Sequence, residues 1–237
     1  MHKPFFESKK KQVAFLVDPD KFDFSNDFIE NVLKYPPDYI FVGGSSMISK
    51  EQIEAVILFL KQKINIPIVI FPGHPMQRSS KADAILILSV LQSNQELYIT
   101  GHLKTVAEEL LSYNIPLIPT VYLIISDNKK SSTIQFTGID PIASKDFDAV
   151  KTIVLTSQVL NYQAIYLEAG SGAEDAIQFD LIKQIRTQTK QFLIVGGGIK
   201  NRNQMIEAFH SGADCVVIGT AIEKDVEMMQ EFYINNS

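Results

Sequence analysis

Eight short apolar runs, rich in β-branched residues and separated by stretches with helical periodicity, are the feature that most constrains the fold of this chain. Strands that are buried on both faces of a parallel sheet read as continuous apolar runs of this kind. The alternation over 237 residues predicts an α/β fold, a single (β/α)8 TIM barrel that forms one domain, 1–237. The runs are 13–18, 39–42, 66–71, 84–88, 117–121, 164–168, 192–195 and 215–219, and the helical stretches are 28–33, 50–63, 103–113, 149–160, 176–189 and 203–209.

Two connections depart from the regular barrel pattern. Only twelve residues, 72–83, separate the third and fourth runs, and they include Pro72 and Pro75 near their start. Proline disfavours a helix, so we expect the third helix to be missing or very short. The apolar surface that this exposes can be filled by a partner subunit, a loop or a long hydrophobic ligand. The connection at 122–144 is long and polar, which suits a lid over the active face.

Composition argues against several classes of function. Hydrophobic residues make up 46% of the chain, but no apolar run approaches the roughly 20 residues of a membrane span. The net charge of −5 disfavours nucleic acid, which requires a basic face. The first residues carry charge without the apolar segment of a secretory signal, so we expect a cytoplasmic location. Cys215, the single cysteine, lies in the eighth run and is interpreted as a small buried residue.

Three of the runs end in small residues, in a pattern typical of phosphate binding. The sixth run continues into Glu-Ala-Gly-Ser-Gly at 168–172, the seventh into Gly-Gly-Gly at 196–198, and the eighth into Gly-Thr at 219–220. Where a buried strand enters a Gly-rich turn and then a helix, free backbone N–H groups and the positive end of the helix dipole converge. Two such turns about 20 residues apart are the usual phosphate grip after strands 7 and 8 of this barrel.

Polar side chains at other strand ends suggest where the chemistry takes place. Asp18 closes the first run and Ser45 follows the second, and a carboxylate beside a hydroxyl is a plausible Mg²⁺ site. A turn or a helix cap is the alternative interpretation of Asp18 and its neighbours. Tyr166 and Glu168 fall on the same side of the sixth strand. If that side faces the barrel interior, Glu168 binds substrate hydroxyls or acts as a base, unless it forms an ion pair with a neighbouring Lys or Arg.

The order of these motifs resembles the geranylgeranylglyceryl phosphate and heptaprenylglyceryl phosphate synthase family. The likeness covers nearly the whole barrel, and Tyr-Leu-Glu-Ala-Gly-Ser-Gly at 166–172 is its most specific part. The resemblance implies a modified TIM barrel without a regular third helix, and a Mg²⁺-dependent prenyltransferase. Such an enzyme joins sn-glycerol 1-phosphate to a polyprenyl diphosphate by an ether bond, and the expected donor is geranylgeranyl diphosphate. The resemblance also implies that the protein forms a homo-oligomer.

The resemblance assigns roles to individual residues. Asp18 and Ser45 are expected to hold the metal, and Glu168 with Tyr166 to orient or deprotonate the reacting hydroxyl. Thr220 stands where many relatives have Asn, but it keeps a side-chain donor, whereas Leu16 stands where some relatives have a phosphate-binding Lys. Glycerol 1-phosphate is expected to contact Tyr166, Leu167, Glu168, Ala169, Gly170, Ser171, Gly172, Gly197, Gly198, Gly219 and Thr220.

The sequence indicates the binding site of the prenyl substrate less specifically than the phosphate site. Its tail is expected to lie in the slot left by the weak third helix, near Leu86, Leu88 and Leu91, with transient contact to a membrane surface as a further expectation. Four basic residues of that quarter of the barrel are candidates for its diphosphate, with a solvated surface role as the alternative; they are Arg78, Lys81, His102 and Lys104. Three other classes stay open on the residues alone: a phosphate-binding isomerase, a flavin-binding barrel and a barrel that binds without catalysis.

Overall fold

The barrel predicted from the sequence is present. The computed structural model describes residues 5–7, 10–44, 48–127, 137–170 and 172–234. Eight parallel strands pair in sequence order, and the first pairs with the last, with Gln12 beside Cys215, so that the sheet closes on itself. The strands are β1 Gln12–Val17, β2 Tyr39–Val42, β3 Ile68–Ile70, β4 Ala84–Ser89, β5 Leu117–Ile124, β6 Ala164–Glu168, β7 Phe192–Gly196 and β8 Cys215–Ile218.

Helices cover the outside of the barrel. Three of the described α-helices begin with a side-chain cap, at Ser49, Asp146 and Asn201. At α2, Lys50–Lys63, the Ser49 side chain and the Gln52 side chain each accept a hydrogen bond from the other residue's backbone N–H. Among the described residues, no helix is both long and apolar enough to cross a bilayer. The helices are α1 Asn26–Lys34, α2 Lys50–Lys63, α3 His102–Lys104, α4 Ala107–Ser112, α5 Phe147–Val159, α6 Phe179–Gln188, α7 Arg202–His210, α8 Thr220–Lys224 and α9 Met229–Phe232, with a π-helix at Leu97–Gly101 and a 3₁₀-helix at Val226–Met228.

The third crossover contains no helix, as the sequence predicts. Residues 71–83, all of which the structure describes, run through turns from β3 to β4. The next crossover is also irregular, because the helix predicted at 103–113 is divided into α3 and α4. The break falls at Thr105 and Val106, and the Thr105 hydroxyl donates to the carbonyl oxygen of His102. Two β-branched residues with a competing hydroxyl weaken a helix at this point. The outer layer is therefore thin beside β4.

Side chains of the strands form two cores, one inside the barrel and one between the strands and the helices. Phe41, Phe71 and Tyr166 belong to the inner core, whereas Leu167 belongs to the outer one. This confirms that Tyr166 and Glu168 share the inner face of β6, as period-two alternation predicts. Phe6 closes the N-terminal end of the barrel by stacking on Phe192, with ring centroids 4.5 Å apart. The main cavity opens toward the C-terminal ends of the strands.

The predicted polar connection at 122–144 begins later than expected. Tyr122, Leu123 and Ile124 are buried and continue β5, because the apolar run extends past residue 121. Residues 128–136 lie outside the described residues, so the lid function of this segment stays a prediction. The correction matters for the site, because it places the Tyr122 side chain inside the barrel.

Candidate active site

A cavity of about 890 Å³ opens at the C-terminal ends of the strands and continues outward beside β4. Its polar end contains Asp18, Glu168 and the glycine turns after β7 and β8. Its apolar end passes over β4 to the short helices α3 and α4, where the lining residues include Ile87, Leu103, Val106 and Leu110. The absence of a third helix leaves the space for this second end. We call the two ends the polar mouth and the apolar slot.

Glu168 is the buried acid of the polar mouth. Its side chain is only 5% exposed and accepts a hydrogen bond of 2.6 Å from the backbone N–H of Gly170. Burial raises the pKa of Glu168 to about 7, although hydrogen bonds from Gly170, Tyr122 and Tyr166 oppose the shift. Among the described residues Glu168 makes no ion pair, so the interpretation as a structural salt bridge is wrong. A carboxylate with this pKa can accept a proton near neutral pH.

Tyr166 and Tyr122 hold the Glu168 carboxylate from the side of the lumen. The Tyr166 ring stacks on Phe71 with centroids 4.9 Å apart, and it lies 5.3 Å from the ring of Tyr122. Burial, and after it the charge of Glu168, raises the pKa of Tyr166 well above its ordinary value. Its hydroxyl therefore stays protonated beside the carboxylate. The sequence analysis missed Tyr122. Because side chains two residues apart in a strand lie on the same face, Tyr122 shares the inner face of β5 with Thr120.

The glycine turn after β7 is shaped by this acid and its tyrosine. A Cβ atom at Gly196 would lie 2.1 Å from the Tyr166 hydroxyl oxygen. A Cβ atom at Gly197, where φ is +78°, would lie 2.6 Å from Oε1 of Glu168 and 2.8 Å from the backbone nitrogen of Gly170. The two strand ends can approach this closely only because neither glycine carries a side chain. The sequence explains these glycines by phosphate approach; the structure adds that they leave room for Tyr166 and Glu168.

The turn after β8 leaves backbone donors beside the polar mouth. Ile222 and Glu223 donate to the carbonyl oxygen of Gly219, at 3.0 Å each, so the N–H groups of Thr220 and Ala221 are not used within α8. Gly219, Thr220 and Ala221 all line the cavity. This arrangement is suited to a phosphate oxygen, as the sequence predicts for the end of β8.

The structure brings most, but not all, of the predicted glycerol phosphate residues to the cavity. Tyr166, Glu168, Gly172, Gly197, Gly198, Gly219 and Thr220 line it. Leu167 and Ala169 are buried in the outer core, and Gly170 lies behind the Glu168 carboxylate that it binds. Ser171 lies outside the described residues. A phosphate contact of Leu167 or Ala169 stays a prediction and would have to use the backbone.

Asp18 is placed so that its carboxylate can serve as a metal ligand. It is 9% exposed, lines the cavity, and Oδ1 accepts a hydrogen bond of 3.1 Å from the backbone N–H of Asp20. A Cβ atom at Gly44 would lie 2.9 Å from Oδ2, so the bare glycine backbone leaves room around the carboxylate. Lys21 is the nearest cation, with its Nζ 3.6 Å from Oδ2 and 3.1 Å from Glu223.

These residues fit a Mg²⁺ ion whose remaining ligands are water and phosphate oxygens, because such an ion needs only one or two protein oxygens. The structure brings together no group of three His, Cys, Asp or Glu side chains within its described ranges, so a cage made wholly of protein ligands is not present there. Ser45, the second predicted ligand, lies outside the described residues. Asp18 is therefore the one predicted ligand whose placement is known.

The loop that replaces the third helix is tied directly to this part of the mouth. Oε1 of Gln77 accepts from the backbone N–H groups of Gly73, at 2.9 Å, and Gly44, at 3.4 Å, while Nε2 donates to the Gly44 carbonyl oxygen at 2.9 Å. Gln77 is only 1% exposed, so these bonds are shielded from water. The same residue thus joins the turn beside Asp18 to the loop that carries His74.

Of the four predicted diphosphate candidates, two line the cavity. They are Arg78 and His102, and His74 joins them there. Arg78 already binds a carboxylate, with its Nε 2.6 Å from Oε2 of Glu109. Lys81 does not line the cavity, and neither does Lys104, which pairs with Glu96. In the slot, Leu86 and Leu88 line the cavity as predicted and Leu91 does not.

Known proteins resemble this chain over most of its length. The model of the PcrB family matches residues 6–235. A geranylgeranylglyceryl phosphate synthase of Flavobacterium johnsoniae is 37% identical over 230 residues, which are 95% of this chain and 94% of the relative. One of Methanosphaera stadtmanae is 34% identical over 212 residues, which are 88% of this chain and 86% of that relative.

Solved structures show the same relationship. The crystal structure of (S)-3-O-geranylgeranylglyceryl phosphate synthase from Thermoplasma acidophilum, in complex with its substrate sn-glycerol-1-phosphate, has a TM-score of 0.88 at 28% identity. The match covers 94% of this chain and 90% of that one. A thiamine phosphate pyrophosphorylase from Pyrococcus furiosus matches with a TM-score of 0.57 at 12% identity, which indicates a shared fold alone.

Proposed function

This chain belongs to the PcrB family, and from that premise we propose that it is a geranylgeranylglyceryl phosphate synthase-like prenyltransferase. It joins sn-glycerol 1-phosphate to a polyprenyl diphosphate by an ether bond and releases diphosphate. Geranylgeranyl diphosphate is the proposed donor, in keeping with the relatives' names. The observation that carries the proposal is a single cavity that joins the buried acid Glu168 to an apolar slot. A phosphate isomerase or a flavin enzyme has no need of such a slot.

The polar mouth can hold glycerol phosphate at both ends. The proposed phosphate site lies at the glycine turns after β7 and β8, where the N–H groups of Thr220 and Ala221 are available. The far hydroxyl of the substrate then lies at Glu168, whose carboxylate accepts a hydrogen bond from the Gly170 N–H and has Tyr122 and Tyr166 beside it. Holding both ends of a small substrate in this way lowers the entropic part of the barrier.

The chemical step that we propose is a substitution at the first carbon of the prenyl chain. The bond from that carbon to the diphosphate oxygen breaks, and the electron pair leaves with the diphosphate. The hydroxyl oxygen of glycerol phosphate forms the new bond to the same carbon, and its proton passes to Glu168. A base with a pKa of about 7 is suited to this transfer at neutral pH. Tyr122 and Tyr166 keep the carboxylate in position without competing for the proton.

Mg²⁺ is a proposed requirement of this reaction. Asp18 and Ser45 are the residues that would hold the ion, and the position of Asp18 in the cavity lining supports that assignment. When bound, the ion neutralises the negative charge that develops on the departing diphosphate. Lys21 bridges Asp18 and Glu223 and holds the carboxylate pair at the rim of the mouth.

The slot is the proposed site of the prenyl tail. Its lining residues Ile87, Val106 and Leu110 are apolar, and each buried CH₂ of a tail contributes about 0.8 kcal/mol of binding. The slot also leads the tail away from the glycine turns, so that the first prenyl carbon stays in the mouth. Water is kept from this carbon by the walls of the lumen, among them Phe71 and Tyr122.

A homo-oligomer that works in the cytoplasm, with transient contact to a membrane surface, completes the proposal. Support for the assembly comes from α5, whose end exposes Leu155, Val159 and Leu160 at 44%, 80% and 56%. Adjacent apolar side chains at the end of a helix are typical of a surface that a second copy covers. A Val159→Lys variant with a lower mass in light scattering would support this surface, and an unchanged mass would exclude it.

Incubation with labelled substrates tests the function. Purified protein, Mg²⁺ and sn-glycerol 1-phosphate are combined with prenyl diphosphates of 10, 15, 20 and 35 carbons, and products are identified by mass spectrometry. We expect an ether product, with sn-glycerol 3-phosphate as the stereochemical control that reacts far more slowly. Release of prenyl alcohol with every donor, and no ether product, would contradict the proposal.

A further inference from the structure

Two histidines face each other where the polar mouth meets the apolar slot. The rings of His74 and His102 have centroids 5.8 Å apart at an angle of 61°, and both line the cavity. His74 belongs to the loop after β3, and His102 begins α3 in the crossover after β4. In a closed barrel of eight strands, β3 lies opposite β7 and β4 opposite β8. The pair is therefore across the mouth from the proposed glycerol phosphate site.

The imidazole rings are available as hydrogen-bond donors. Nδ1 of His74 accepts a hydrogen bond of 3.2 Å from the backbone N–H of Met76, so the proton of the neutral ring is on Nε2. Within the described ranges, the ring nitrogens of His102 have no hydrogen-bond partner, and no carboxylate lies within 4 Å of either ring to form an ion pair. The Tyr98 ring lies edge-on to the His102 ring, with ring centroids 5.6 Å apart. Both histidines are half-buried.

Such a pair is better suited to an anion than to a cation. Two imidazoles alone are a poor metal site, because zinc and similar ions take at least three protein ligands. The part of the chain that the structure describes offers no third His, Cys, Asp or Glu ligand there. Burial and then the neighbouring charge of His74 lower the pKa of His102. An anion between the rings would relieve this repulsion and accept hydrogen bonds from both.

The position of the pair specifies which anion. Gln77 ties the His74 loop to Gly44, and the Gly44 backbone lies against the Asp18 carboxylate. On the other side, Leu103 follows His102 directly and lines the slot. A ligand with its charged group at the histidines thus has Asp18 on one side and an apolar channel on the other. This is the arrangement that an amphiphile with a phosphate head and a long tail requires.

We propose that His74 and His102 form the subsite for the terminal phosphate of the prenyl diphosphate. The inference rests on the proposed function and adds to it the residues that recognise the leaving group. Each ring donates a hydrogen bond to a phosphate oxygen, while the inner phosphate lies toward Asp18. Diphosphate then departs from the side of the mouth opposite the glycine turns, so the two substrates do not compete for one phosphate site.

Binding of inorganic diphosphate tests this subsite without any need for turnover. Titration calorimetry in Mg²⁺ compares the parent with His74→Phe, His102→Phe and the double variant, since phenylalanine keeps a flat ring but removes the donors. We expect each single change to weaken binding about tenfold, because a hydrogen bond to a charged group is lost. His102→Gln retains a donor and should restore much of the affinity. The matched control is His210→Phe, an exposed histidine of α7.

Steady-state kinetics then separate the two phosphate sites. In the histidine variants the KM for geranylgeranyl diphosphate should rise about tenfold, and the KM for sn-glycerol 1-phosphate should stay within twofold. A larger rise for glycerol phosphate would assign the pair to the other substrate and overturn the proposal. Unchanged binding of inorganic diphosphate by the double variant would do the same. If a phenylalanine variant does not fold, the alanine variant at the same position is measured instead.

Failure of the proposed function gives a different result. A parent protein that forms no ether product, yet loses diphosphate affinity in the histidine variants, would retain the anion subsite and lose the assigned reaction. A parent that forms the product with normal kinetics in every histidine variant would retain the reaction and exclude the subsite. The calorimetric and kinetic measurements together therefore test the two proposals independently.

Discussion

The two sides of the barrel mouth are built on opposite principles. Beside β6 and β7, backbone and side chains approach so closely that one added carbon at Gly196 would lie 2.1 Å from a hydroxyl oxygen. Beside β3 and β4, a whole helix is missing and the cavity widens into a slot. The first side, which we call the glycine side, places the reacting groups accurately. The second, which we call the slot side, provides space. A reaction between a small polar substrate and a long apolar one requires both.

Hydrogen bonds and ion pairs, in place of a third helix, connect the segments on the slot side. Glu109 of α4 accepts from Lys50 of α2 at 2.8 Å, from Arg78 of the connecting loop at 2.6 Å and from the Tyr113 hydroxyl at 2.6 Å. These hydrogen bonds lower the pKa of Glu109 to about 2. One carboxylate thus joins three segments around the gap. Because these groups are partly exposed, each pair contributes little on its own, and this side should tolerate change better than the glycine side.

The largest expected effect is on the glycine side, at the proposed base. Glu168→Gln keeps the size of the side chain and removes its ability to take a proton, so kcat should fall by about 10²–10⁴-fold. In the parent, kcat should rise with pH through about 7, because only the ionised form of Glu168 is a base. A pH-rate profile of parent and variant measures both. A variant with more than a tenth of the parental kcat would remove Glu168 from this role.

The same residue should make the parent less stable at alkaline pH. Burial raises the pKa of Glu168 from its ordinary value near 4.5 to about 7, so the folded state holds the proton more tightly than the unfolded state. Its contribution is fully present below about pH 4.5 and is lost as pH rises toward 7, by about 3 kcal/mol. Glu168→Gln cannot ionise and should avoid this loss. Urea unfolding at pH 5 and pH 8 measures the difference between parent and variant. An equal pH dependence in both would contradict the assignment.

Asp18 gives the next largest effect, and it belongs to neither side. Asp18→Asn removes the charge that attracts a cation, so we expect turnover to fall about 10²-fold and to need more Mg²⁺. The melting temperature should change little, because the Asp18 carboxylate is at the cavity surface and Lys21 keeps Glu223 as a partner. Equal activity of parent and variant across a Mg²⁺ titration would exclude Asp18 as a ligand.

The sequence predicts the glycine side better than the slot side, for a physical reason. A close backbone approach requires glycine, and buried parallel strands require apolar runs. The glycines at 196–198 and the apolar run at 164–168 can therefore be recognised in the sequence itself. A slot is instead a missing element, and the sequence shows only that 72–83 is too short for a helix. Which side chains line that space depends on the register of β4 and the break before α4. Tyr122 was missed because the end of β5 was placed too early. The contact between His74 and His102 joins the loop after β3 to the start of α3, and no local sequence pattern indicates it.

Substitutions of two glycines are expected to have a smaller effect, and they distinguish a residue that contacts phosphate from one that packs inside the barrel. The nearest atoms to a Cβ atom at Gly219 would be those of Leu16, at 3.4 Å, which is ordinary contact, so Gly219→Ala should fold normally and raise the KM for glycerol 1-phosphate about tenfold. Gly197→Ala places its carbon against Glu168 and should lower kcat and stability as well. Kinetics for each substrate and thermal melts distinguish the two variants. A Gly219→Ala variant with unchanged KM would move the phosphate away from β8.

The smallest expected effect, and the sharpest test of the contrast, is on the slot side. Ala84 belongs to the buried inner core and does not line the cavity, so bulk there would deform the barrel rather than shorten the slot. Val106 does line the slot and is half-buried, so a larger side chain there can extend into the space. Val106→Phe should therefore lower kcat/KM for the 20-carbon donor relative to the 10-carbon donor by about two- to fivefold, because a few CH₂ groups lose their contacts.

The control for this change lies in α4, the helix that begins directly after Val106. Leu111 is 79% exposed and does not line the cavity, so Leu111→Phe introduces the same aromatic side chain into α4 without narrowing the slot. Light scattering of both variants shows whether either position contacts a second subunit. A changed mass with an unchanged donor preference in Val106→Phe would mean that a partner subunit, and not a prenyl tail, fills the gap. An altered preference at constant mass, seen only at Val106, would instead mean that the missing third helix sets the space for the tail, while the glycine side sets the chemistry.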